Sequence, residues 1–141
     1  MRFLDTNVLL YAVSRLPEEE NKRVRARGLL ADPDLCLSAQ VLQEFYYQAT
    51  HPHRPGGMVH EDAMEFVRPL MLLPVQPVTL DLFQTAVAIS LRYRLSYWDG
   101  AILAAARTLG CDAVYSEDLS SEQDYGGVRV IDPFVGGQRT A

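Results

Sequence analysis

The chain has 141 residues, 48% of them hydrophobic and 22% charged, enough for one globular domain with a real core and too few for a comfortable second one. No basic-then-apolar leader opens it, and no apolar run approaches the roughly 20 residues that span a bilayer, so a cytoplasmic protein without membrane contact is expected. The formal charge of -5 argues mildly against nucleic acid, whose phosphates need a local excess of Lys and Arg, unless several of the negatives form one cation-binding cluster.

Arg2 to Leu4 reads as a short buried strand. Asp5-Thr6-Asn7 then offers three capping-type residues before the apolar run Val8 to Val13, so the strand passes directly into a helix. Pro17 followed by Glu18, Glu19 and Glu20, with Lys22, Arg23, Arg25 and Arg27 beyond, places acid at a helix start and base toward its end; Asp32-Pro33 closes it. Leu35 to Leu37 is a second strand. Ser38 is a good N-cap for the next helix, with Leu37 and Leu42 spaced as a hydrophobic staple and Glu44 in the second turn.

His51 to Gly57, with two prolines and two glycines, is a loop, and His60 to Leu73 returns to helical spacing that Pro69 kinks or shortens. Val75 to Val78 is a third, Pro-interrupted strand suited to a sheet edge, and Leu80 to Tyr93 is a helix. Asp99 caps the helix Gly100 to Leu109, whose Ala-rich run packs on the sheet and which Gly110 ends. Trp98 reads as a staple partner of Leu103 rather than a base-stacking platform. Ala113 to Tyr115 and Val128 to Ile131 are the fourth and fifth strands, separated by a Gly126-Gly127 turn. The expected domain is 1–135, with 136–141 a mobile tail. Cys36 and Cys111 lie beside strands in apolar surroundings and read as two buried thiols, not a disulfide or a metal pair.

Strands alternating with helices mean an α/β fold with a parallel sheet. In such a sheet every helix that follows a strand starts at the strands' carboxyl edge. Asp5, Glu44, Asp99 and Asp118 each fall where a strand ends or a helix begins, so the fold brings all four to that edge. Taken singly, Asp5 and Asp99 are helix caps, Glu44 belongs to a solvated face with Gln40, Gln43 and Gln48, and Asp118 sits in a polar turn. Together they would repel unless something positive were bound among them. Hard oxygen ligands favour Mg²⁺, with Mn²⁺ as a substitute, over zinc. His51, His53 and His60 cluster at the Pro/Gly loop and read as surface residues.

Phe3-Leu4-Asp5-Thr6-Asn7, the run Ser38 through Glu44, Tyr97-Trp98-Asp99 before the Ala-rich helix, Tyr115-Ser116-Glu117-Asp118-Leu119 and the closing Val130-Ile131-Asp132-Pro133-Phe134 occur in an order and spacing that resembles the PIN-domain ribonucleases, most closely the VapC-type toxins of toxin-antitoxin pairs. The resemblance covers nearly the whole chain; Asp132 departs from it, since Asn is common there. It implies a three-layer α/β/α sandwich with a mostly parallel sheet of about five strands. It further implies a metal-dependent endoribonuclease in which Asp5, Glu44, Asp99 and Asp118 bind Mg²⁺ while Thr6, Asn7 and Ser116 orient them from behind. The substrate would be RNA, in tRNA or rRNA, cut to 5′-phosphate and 3′-hydroxyl ends. Arg15, Arg92 and Arg94 flank the segments leading into or out of the site and read either as phosphate contacts or as surface arginines. A homodimer and a cognate antitoxin that inserts an Arg or similar group among the acids are also implied.

Two other functions compete. A phosphotransfer or phosphatase domain also ends its first strand in Asp, but a haloacid-dehalogenase-like enzyme calls for Asp where this chain has Asn7. A receiver calls for Lys after its last strand, and Lys22, the only lysine, lies elsewhere. The second alternative is a non-catalytic binding module whose acidic edge is an interaction surface.

Overall fold

Short apolar runs bounded by helix-capping residues set the architecture. The computed structural model describes residues 1–120 and 123–136, in which five strands form one all-parallel sheet ordered β3-β2-β1-β4-β5. They are β1 (Arg2–Leu4), β2 (Leu35–Ser38), β3 (Val75–Gln76), β4 (Ala113–Tyr115) and β5 (Arg129–Ile131). Phe3, Leu4, Cys36, Leu37, Val114 and Val130 are completely buried, as the strands of a sheet covered on both faces must be. The Pro-flanked β3 is an edge strand, and Pro77 keeps it to two residues.

The helices are α1 (Thr6–Ala12), α2 (Glu20–Leu30), α3 (Ala39–Ala49), α4 (His60–Val67), α5 (Leu80–Tyr93), α6 (Tyr97–Thr108) and α7 (Pro133–Gly136). The chain steps outward from β1 through β2 to β3 and then returns to β4. With right-handed crossovers, α1 to α4 therefore lie on one face and α5 with α6 on the other. The packing agrees: α1 contacts α2 and α3, α3 contacts α4, and α5 pairs with α6. The expected three-layer sandwich is present.

Several boundaries differ from the sequence expectations, each for a local reason. Pro17–Glu19 forms a 3-10 turn before α2, and Pro69–Leu72 another after α4, where the proline leaves no amide to extend the helix before it. Ser96, not Asp99, caps α6: its side chain accepts the Asp99 amide, and the helix begins at Tyr97. Trp98 is thus the second residue of the helix, and at 63% exposure it is no hydrophobic staple. Cys36 and Cys111 are paired sulfur to sulfur across 75 residues of chain instead of lying apart; their Cα atoms are 7.8 Å apart, wider than the roughly 4.4–6.8 Å of relaxed disulfides. Gly136 closes α7, and 137–141, most of the expected tail, lie outside the described residues.

Candidate active site

The carboxyl edge of the sheet is where backbone pairing stops and polar side chains take over. The Asp5 amide still donates to the Tyr115 carbonyl (3.1 Å) and the Ser116 amide to the Ile131 carbonyl (3.1 Å), so both residues are fixed at the end of the ladder. Asp5 also caps α1, Oδ1 accepting the Thr6 amide at 2.7 Å, while Ser116 Oγ donates to Oδ2 at 2.7 Å. Both side chains are buried, and each Asp5 oxygen has a donor. Two residues on, the Asp118 amide donates to Ser116 Oγ (3.1 Å), and Asn7 Nδ2 reaches Asp118 Oδ2 (3.1 Å).

Glu44 arrives from α3, whose start is fixed by Ser38 accepting the Val41 amide. Gln40, Glu44 and Gln48 repeat every four residues and share a face. Thr6 Oγ1 donates to Glu44 Oε2 (3.1 Å) and Gln40 Nε2 to Oε1 (3.0 Å). Asp99 arrives from α6, whose first turn is pressed onto α5 at Gly100. A Cβ there would stand 2.7 Å from the Ala86 carbonyl and 2.9 Å from Ser90 Cβ, so only glycine permits this approach.

Asp5, Glu44, Asp99 and Asp118 line one cleft of about 160 Å³ with Thr6, Asn7, Leu10, Gln40, Gln48, Trp98 and Ile102. No Lys, Arg or His side chain is among these. Burial pushes the Asp5 carboxyl up to about 6, and the charges of Asp118 and Glu44 add to it against the pull of the Ser116 and Thr6 hydrogen bonds. Asp99 is raised for the same reasons, burial first, then Asp118 and Glu44.

The donor chemistry is that of a hard divalent cation, all oxygen and mostly charged. Among the described residues, however, no three His, Cys, Asp or Glu side chains converge tightly enough to hold an ion as they stand. The acids line the cleft without closing on its centre. Asp118 is exposed and Glu44 half-buried, while Asp5 is buried with both its oxygens hydrogen-bonded.

The structure thus brings together the four carboxylates with Thr6 and Asn7, and places Ser116 directly behind Asp5. Glu117 turns away to Tyr11 and Lys22. The three arginines expected at phosphates do not line the cleft: Arg15 borders a neighbouring hollow, Arg92 lies over the Tyr93 ring and Arg94 ends α5 in a left-handed conformation. Five lining residues have no part in the site as read from sequence: Leu10, Gln40, Gln48, Trp98 and Ile102. Gln40 and Gln48 are signalled by their four-residue spacing from Glu44. A helix start at Asp99 makes Trp98 a packing residue; the true start at Tyr97 puts it in the lining.

The PIN domain family model matches residues 2–122. No curated protein matches the chain at a significant level. Among solved structures, the chain is similar to VapC20 of Mycobacterium tuberculosis, a Sarcin-Ricin loop cleaving toxin, at 22% identity and a TM-score of 0.65 over 84% of this chain and 90% of that one. It is also similar to a toxin-antitoxin complex from Klebsiella pneumoniae, at 19% identity and a TM-score of 0.67 over 95% and 98% of the two chains. DNA-bound VapBC from Salmonella typhimurium gives 23% identity and a TM-score of 0.60 over 92% and 95%.

Proposed function

The chain belongs to the PIN domain family, and from that premise we propose that it is a metal-dependent endoribonuclease, the toxin of a toxin-antitoxin pair. The observation that carries this reading is the cleft itself. Four carboxylates from four separate elements face one space, three of them held by hydrogen bonds from Thr6, Asn7, Gln40 and Ser116, with no basic side chain lining it. A fold that only needed helix caps would not gather four of them.

Asp5, Glu44, Asp99 and Asp118 would hold Mg²⁺, or Mn²⁺ in its place. Such an ion, when bound, supplies an activated water and positive charge beside the phosphoryl oxygens. The chain's own residues place the acids. Ser116 and the Thr6 amide fix both oxygens of Asp5, Thr6 and Gln40 aim Glu44, and Asn7 ties Asp118 to Ser116. The lining holds no histidine pair of the kind that takes a proton from an RNA 2′-hydroxyl and returns one to the leaving oxygen, which favours water as the nucleophile. Its oxygen bonds to phosphorus, the bond from phosphorus to the 3′ oxygen breaks as that oxygen takes up a proton, and the products carry 5′-phosphate and 3′-hydroxyl ends.

A Sarcin-Ricin loop cleaving toxin among the similar structures supports an RNA target, which we read as rRNA or tRNA, and the toxin-antitoxin complexes support a cognate antitoxin. Exposed Leu80, Phe83 and Leu91 form a stripe along α5 that supports a protein interface, which we assign to a homodimer. No helix among the described residues is long and apolar enough to cross a membrane, and the protein would act in the cytoplasm, where its RNA is.

The test is incubation of a mixed tRNA and rRNA pool with Mg²⁺, beside the Asp5→Asn protein and an EDTA control, with the cut ends sequenced. Discrete cuts with wild type and metal alone are expected. A folded wild type that leaves the pool intact under Mg²⁺ and Mn²⁺ would move the reading to a non-catalytic binding module.

A further inference from the structure

The acid cleft continues beyond Glu44. Gln48, one turn along α3, borders both the cleft and a second groove of about 280 Å³ lined by Tyr47, His51, His53, Arg54 and Pro55. The groove lining carries no carboxylate, so charge changes sign within one helical turn. From the same loop a third hollow runs on toward Arg15, which Gly56 approaches closely.

The loop that builds the groove is held firmly. The amides of His51, Arg54 and Gly57 donate to the carbonyls of Gln48, His51 and Arg54, and Met58 donates back to Ala49 at 2.7 Å. Carbonyls crowd the Gly57 Cα, where an added Cβ would stand 3.1 Å from the Arg54 oxygen and 3.3 Å from that of His51. On this base the rings of Tyr47, His51 and His53 follow one another with 5.6 Å between successive centroids. Tyr47 is 67% exposed. On the α6 side of the cleft Trp98 is equally open, its ring braced edge-on by Tyr97 at 4.9 Å.

The acids therefore lie between two aromatic surfaces built of rings set at angles to one another, one of which carries a guanidinium. Resting on the ribonuclease reading, we propose that these surfaces grip an unpaired RNA strand on either side of the cut. Trp98 stacks a base on one side, and the Tyr47–His51 rings with Arg54 hold a base and its phosphate on the other. Flat rings facing solvent suit splayed bases and offer nothing to a duplex, whose bases are stacked away from reach. The acids repel every phosphate except one neutralised at the scissile position, so cations are needed on the flanks. Arg54 and Arg15 stand there; Arg92 and Arg94 border neither hollow.

The test is fluorescence anisotropy in Mg²⁺ with a short labelled single-stranded RNA whose phosphorothioate linkages resist cleavage, compared with a hairpin duplex of the same composition. Trp98→Ala should weaken single-strand binding by about 5- to 100-fold, the worth of one base–aromatic stack, with an unchanged salt dependence. Trp98→Phe should keep most of the affinity. Arg54→Ala should lower the slope of log affinity against log salt by about 0.7, one phosphate contact on a single strand. Circular dichroism checks that each variant is folded, which the exposure of Trp98 and the partial exposure of Arg54 favour. Equal binding of duplex and single strand, no binding by wild type, or unchanged binding by both alanine variants would overturn the proposal. Cleavage by variants whose binding is unchanged would discard the two surfaces and keep the ribonuclease. The expected binding pattern in a wild type that never cleaves would do the reverse.

Discussion

Glu117 and Asp118 are consecutive, yet their carboxylates meet opposite surroundings. Glu117 turns back over α1, where Lys22 Nζ lies 2.8 Å away and the Tyr11 hydroxyl also donates to it. Its own hydrogen bond to Glu117 holds the Lys22 ammonium well above its ordinary pKa, and Lys22 also sits over the Tyr11 ring at 4.7 Å. Asp118 turns the other way, into a cleft it shares with three more acids and no basic side chain. The chain thus commits its only lysine to the acid that ties α1 and α2 to the β4 loop. It leaves four acids in the cleft with no basic side chain beside them, where the proposed cation would bind.

Breaking the cleft side of this comparison should have the largest effect. Asp99→Asn or Asp5→Asn should keep the fold and lower cleavage about 100-fold or more, on the order of 3 kcal/mol of transition-state stabilisation, in single-turnover assays. Retained cleavage would remove those residues from the mechanism.

A stability effect of similar size follows from Asp5. Its carboxyl is raised to about 6 from 3.8, so the folded state holds the proton more tightly than the unfolded one. The stability this contributes is fully present below pH 3.8 and is lost as pH rises through about 6. The loss amounts to about 3 kcal/mol in the metal-free protein. Urea titrations from pH 4 to 7 should show this loss in wild type with EDTA and not in Asp5→Asn. Mg²⁺ at pH 7 should restore stability to wild type alone.

Gly100→Ala should cost about 1–3 kcal/mol in urea unfolding, because the new methyl meets backbone of α5 that cannot move independently. Cleavage should fall as well, since Asp99 rides on the same turn. The smallest effect sharpens the other side of the comparison. Lys22→Met should cost about 1 kcal/mol, the pair being only half-buried and partly screened, and should leave metal-dependent cleavage unchanged. A large loss of cleavage would mean that Glu117 belongs to the site after all.

Much of this was legible in the chain. Asp5 follows the apolar pair Phe3-Leu4, Asp118 comes two residues after the strand Ala113-Val114-Tyr115, and Glu44 follows a strand and a serine cap, so parallel topology carries them to one edge. The α6 start was misread because Asp99 is itself a good cap, and the true cap, Ser96, stands three residues earlier. That offset turned Trp98 from a cleft-lining ring into a packing residue. The Tyr47–Arg54 groove was illegible for another reason: its shape depends on loop hydrogen bonds between carbonyls and amides, which carry no side-chain signature. The Cys36–Cys111 pairing depends on how α6 lies against β2, a tertiary relation that periodicity does not report.

The most direct test of the central claim is a calorimetric titration of Mn²⁺ into metal-free wild type and Asp5→Asn, each in two buffers of different ionisation enthalpy near pH 6. The account expects wild type to bind the ion and release protons as Asp5 gives up its own, and Asp5→Asn to show neither the affinity nor the release. Equal binding by the two proteins, or no binding by a folded wild type, would contradict it.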